Sequence, residues 1–78
     1  MANIVEYMRR TEPKTAREAN PKSARNAIRK EAREHAQFLH SAMKTASVLG
    51  FSDAREKAQE DFLFLSRWFL KFGLKDED

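Results

Sequence analysis

The segment from Phe62 to Phe72 reads FLFLSRWFLKF, and it constrains the fold more than any other part of the chain. On a helix turning 100° per residue its apolar side chains cover an arc of about 260°, whereas a surface helix needs an apolar stripe of only about 100°. One neighbouring helix cannot cover that arc. Phe64 and Trp68 fall on one shoulder, Leu63 and Leu70 on the other, and only Arg67 and Lys71 mark a polar side.

Chain length sharpens the problem. A chain of 78 residues makes one domain, and domains near this size bury only about 60% of the surface their unfolded chains expose. Small domains compensate with disulfides, a metal or oligomerisation, and the absence of cysteine removes the first. That absence also suits a reducing cytoplasm, which is the expected location. The start of the chain has too short an apolar run for a signal peptide, and no run of 18 apolar residues exists to span a bilayer.

Two glycines and two prolines punctuate the chain. Asn20 before Pro21 reads as an N-cap followed by proline at the first helical position, where its missing N–H costs nothing. Gly50 reads as a left-handed helix terminator, Ser52 and Asp53 as the next cap, and Gly73 as the last stop. The pattern predicts an all-α domain over 1–78: a short helix over about 3–10, a linker over 11–20, a long helix over about 21–49, a third over about 53–72, and an acidic tail over 74–78. Thr15 and Glu18 have capping-box spacing, so part of the linker can be helical. A short connection at Gly50 to Ser52 predicts that the two long helices form an antiparallel hairpin.

The seam of that hairpin follows from the same geometry. Ala24, Ile28, Ala32, His35, Leu39, Ala42, Met43, Ala46 and Leu49 share one face of the long helix, and Ala54, Ala58, Phe62, Leu65, Phe69 and Phe72 face them. Alanines opposite rings allow close, interdigitated packing. The shoulder residues Leu63, Phe64, Trp68 and Leu70 lie outside this seam, and contiguous exposed apolar surface marks an interface. The expectation is a helical-bundle homo-oligomer or a partner complex. The alternative is a three-helix monomer in which the first helix, with Ile4, Val5, Tyr7 and Met8, covers one shoulder. A membrane-surface role is disfavoured because Glu60, Asp61 and the acidic tail would repel anionic lipid.

Charge is unevenly placed. Residues 1–35 hold nine Lys or Arg against five acids, and residues 36–78 hold six against seven. Lys22, Arg25, Arg29 and Arg33 recur at three- or four-residue spacing and therefore form a stripe, with Lys14 and Arg17 just before it. The long helix is expected to overhang its mate by about two turns, which would leave this basic end outside the hairpin. The stripe suits an anionic partner: nucleic acid, a nucleotide ligand or an acidic protein surface. The competing reading is a solvated helix face partly neutralised by Glu18, Glu31 and Glu34.

Catalytic signatures are absent from the sequence. His35 and His40 are five apart and project from different sides of a helix, so they cannot chelate one ion together, and Glu31 with His35 offers only two ligands where a closed zinc site needs about four. There is no glycine-rich phosphate loop, no nucleophile with a recognisable base, and no helix-turn-helix pattern. The sequence thus predicts a non-enzymatic helical binding protein without metal or cofactor, engaging an anionic partner through its basic stripe. The second reading is an inhibitor of the kind phages and mobile elements encode, docking on a host protein through its aromatic helix face.

Overall fold

In the computed structural model, which describes residues 4–75, the chain is built from helices alone: α1 (Ile4–Arg10), α2 (Pro13–Ala19), α3 (Lys22–Leu49) and α4 (Ser52–Phe72). Asn3, the expected first helical residue, and the acidic run Asp76, Glu77 and Asp78 lie outside the described residues. The 28 residues of α3 rise about 42 Å at 1.5 Å per residue, matching the 42 Å long axis of the molecule. Its alanines and straight-chain residues favour a helix of this length.

Gly50 ends α3 as the sequence predicts. Its φ of 78° is left-handed, where a side chain would clash with the following carbonyl. That geometry lets the Phe51 N–H donate to the Ala46 carbonyl at 2.9 Å, while the Gly50 N–H points to the Ser47 carbonyl, the paired bonds of a Schellman cap. Only Gly50 and Phe51 separate α3 from α4. At the other end of α4, Gly73 (φ 104°) donates its N–H to the Phe69 carbonyl at 2.8 Å.

The expected linker over 11–20 contains a helix. Pro13 occupies its first turn, where a missing N–H is tolerated, and Glu12 precedes it without a side-chain cap. The Thr15–Glu18 capping box therefore does not form: both residues lie inside α2. Asn20 closes α2 instead of opening α3, which Pro21 precedes. Its amide donates to the Ala16 carbonyl at 2.7 Å and to the Tyr7 hydroxyl at 3.1 Å, tying α2 back to α1. Ser52 and Asp53 likewise begin α4 as helical residues, with Phe51 at the cap position.

One core runs through the molecule. Ala32, Leu39, Ala58, Leu65, Phe69 and Phe72 are buried along the expected α3–α4 seam, and Val5 and Met8 of α1 and Ala16 of α2 join them. Leu49 and Ala54, also expected in the seam, are instead exposed near the α3–α4 connection, while α1 and α2 supply additional cover to the rest of the core.

Candidate functional site

Arg29 of the basic stripe is buried, and several of its neighbours hold backbone carbonyls. Arg29 is 2% exposed; its guanidinium donates to the Phe72 carbonyl at 3.2 Å and to Asn26 Oδ1 at 3.2 Å, and lies 4.5 Å from the Phe72 ring centroid. Arg17 donates to the same carbonyl and sits over the same ring. Arg33 donates to the Leu74 carbonyl at 2.6 Å, and Arg25 donates to the carbonyls of Arg17 and Asn20 at 3.1 and 2.9 Å. Helix C-termini leave carbonyls unsatisfied and carry the negative end of the dipole. Arginines therefore close both α2 and α4.

Arg29 meets the last carbonyl of α4, so residues 22–28 of α3 extend about two turns beyond α4 as expected. The arginines at this end, however, already hold carbonyls of the chain itself. Arg25 ties the start of α3 to the end of α2, and Arg29 is buried. Of the residues expected to meet an anionic partner, Lys14 and Lys22 are exposed without such a structural task among the described residues, whereas Arg17, Arg25, Arg29 and Arg33 each hold a carbonyl. The periodicity located the stripe correctly but could not show that two helix ends would arrive beneath it.

The aromatic shoulder is also covered. Trp68 is 4% exposed, its ring tilted 34° against that of Phe72 at 4.0 Å between centroids, and Phe64 is half-buried beneath the Arg9 guanidinium at 4.6 Å. Arg9 in turn pairs with Asp61 at 2.8 Å, which pins α1 across this side of α4. Phe64 and Trp68 are thus not surface anchors, and the aromatic-face docking expected of an inhibitor loses its two rings. Leu63 and Leu70 stay on the surface, 46% and 86% exposed.

The side of the α3–α4 pair that α1 leaves open carries a groove of about 870 Å³. Met43, Val48, Phe62 and Leu63 supply much of its apolar wall, and His40, Lys44 and Arg55 stand along it without a carboxylate among its lining side chains. Val48, Leu49 and Phe51 add exposed apolar surface at the α3–α4 connection. Leu63 was anticipated here; Lys44, Val48 and Arg55 were not. Val48 and Lys44 are four apart and so share a face of α3 outside the expected seam, and that spacing was the available signal.

The two histidines contact rings rather than each other. His35 stacks with Phe38 at 5.8 Å, and His40 approaches Phe62 at 6.1 Å. Among the described residues no three metal-ligating side chains cluster, and no helix is long and apolar enough to cross a membrane. No protein family, curated protein or solved structure matches the chain.

Proposed function

We propose that this chain is a non-enzymatic helical binding protein, built on an antiparallel α3–α4 hairpin, that pairs with a second copy through the open groove and meets an anionic partner with its remaining cations. The observation that carries the pairing is the coincidence, on one side of the molecule, of an apolar groove and an exposed Leu63.

Charge supports a second copy as the occupant. Glu56, Glu60 and Leu63 recur at i, i+4 and i+7 and so share one side of α4, all three exposed. The groove is bordered by Lys44 and Arg55. When two such surfaces meet about a two-fold axis, the Leu63 walls of the two grooves pack on one another, and the acidic row of each copy faces the basic border of the other. An isologous interface of this kind uses the same patch twice.

The test is charge exchange. Lys44→Glu with Arg55→Glu should dissociate the pair, and so should Glu56→Lys with Glu60→Lys; mixing the two variants should restore a heterodimer, read by light scattering or native mass. A wild-type chain that stays monomeric at millimolar concentration would remove the pairing. Restoration failing in the mixture, with each variant folded, would assign the groove to a different protein.

A further inference from the structure

On a different side of α4 from Leu63, two cavities adjoin and share Glu12, Pro13 and Lys71 in their walls. The inner one, about 230 Å³, has Met8, Phe64 and Trp68 as apolar wall and Arg67 at its border. The outer one, about 440 Å³, adds Lys14 and Arg17. We propose that this two-part cleft binds a small aromatic anion, its ring in the inner part and its phosphate or carboxylate group between Lys14 and Lys71.

Uncompensated charge is the first ground. Arg9 is tied to Asp61 and Arg17 to the Phe72 carbonyl, but Lys14, Arg67 and Lys71 make no hydrogen bond or ion pair among the described residues. Glu12 is the one carboxylate in either wall. Arg67 and Lys71 are four apart on one helix, a spacing at which like charges repel. An anion between Lys14 and Lys71 relieves that repulsion with charge-assisted bonds.

The second ground is an unsatisfied donor. The Trp68 indole N–H is buried and has no hydrogen-bond partner, although buried polar groups are almost always paired. Trp68 belongs to the inner wall, so the cavity is lined by a residue whose donor has no acceptor among the described residues. Size supplies the third ground. An apolar cavity of about 150 Å³ is enough for a benzene ring, and the inner part exceeds this while remaining too small for a large ligand.

Trp68 is the only tryptophan in the chain, so its fluorescence reports directly on the inner cavity. Titration with phenyl phosphate should give a saturable change, confirmed by calorimetry, and Lys14→Gln and Lys71→Gln should each raise the Kd at least about tenfold. Lys30→Gln, on an exposed turn of α3, should leave it unchanged, and all three variants should keep the wild-type melting curve. Benzoate should compete with phenyl phosphate, while inorganic phosphate and phenol should each bind far more weakly. The proposal is overturned by the lack of a saturable response at millimolar phenyl phosphate, by wild-type affinity in Lys71→Gln, or by equal affinity for inorganic phosphate. Binding of an RNA or DNA oligonucleotide without binding of phenyl phosphate would also overturn it, since the cations would then belong to a macromolecular surface.

Discussion

The Arg29 side chain lies between the Phe72 ring and the Phe72 carbonyl, 2% exposed. Its two terminal nitrogens donate to Asn26 and Phe72, while the buried Nε–H has no hydrogen-bond partner among the described residues. Losing the remaining bonds is costly because buried charge needs partners. Replacing it with Gln shortens the side chain and abandons the carbonyl, so Arg29→Gln should lower stability by about 1.5 to 3 kcal/mol, the range for hydrogen bonds to charged groups. In a domain of this size that corresponds to a fall in Tm of the order of 10 °C. An unchanged midpoint in thermal circular dichroism would show that water replaces the guanidinium without loss. The sequence marked Arg29 as one member of a stripe, and spacing alone assigned it to solvent. Its burial depends on where Phe72 lands, forty-three residues away in the chain, which no local pattern encodes. Trp68 shows the same dependence. Its shoulder position was legible, but the core it joins includes Val5 and Met8 from a helix too short to be weighed by periodicity. Trp68→Ala should therefore cost about 3 to 5 kcal/mol as a core truncation, measured by urea denaturation; a loss below 1 kcal/mol would mean that the ring contributes little to the core.

At the scale of elements, the two glycines end helices by different geometries and should respond differently to a side chain. Gly50 has φ 78° and ψ 20°, the left-handed region that other residues enter at about 1 to 2 kcal/mol. No neighbour stands within 4 Å of an added Cβ there, so Gly50→Ala should cost only that, and Gly50→Asn less. Gly73 has φ 104° and ψ 149°, a region that is close to glycine-only. Gly73→Ala should cost about 1 to 3 kcal/mol from the backbone alone, since an added Cβ meets the Arg17 and Arg29 guanidinium groups only at ordinary contact distance. Equal melting curves for Gly50→Ala and Gly73→Ala would contradict this ordering. Both glycines were readable as stops from sequence because each follows an apolar helical run. The helix at Pro13–Ala19 was legible only as a linker part of which can be helical, since seven residues are far below the length at which a helix is stable alone. It persists because Ala16 is buried in the core, Arg17 reaches α4, and Arg25 closes its last carbonyls. Those are tertiary causes, whereas α3 and α4 declared themselves through long amphipathic periods.

At the scale of the molecule, α1 and α2 act as a strap across one side of the α3–α4 pair, leaving the groove side open. The strap buries Val5, Met8 and Ala16 and is fastened by Arg9 to Asp61, Tyr7 to Asn20 and Arg17 to the end of α4. Burial of Val5 and Met8 alone is worth about 1.5 to 3 kcal/mol each. The cover they give to Phe64 and Trp68 adds to this. A chain of this length has a total stability of about 4 to 12 kcal/mol, so the strap supplies a share comparable with the whole. The two sides then differ in kind: one is closed by the chain itself, and the other keeps Val48, Leu49, Leu63 and Leu70 exposed. A variant beginning at Pro21 opens both sides at once. It should lose the cooperative thermal transition of the full chain and form assemblies larger than a pair, because Phe64, Trp68 and Phe72 become available in addition to the groove. Circular dichroism melting and light scattering check both outcomes. A shortened chain that melts cooperatively at the full-length temperature would show that α3 and α4 are self-sufficient, and that α1 and α2 rest on the core without stabilising it.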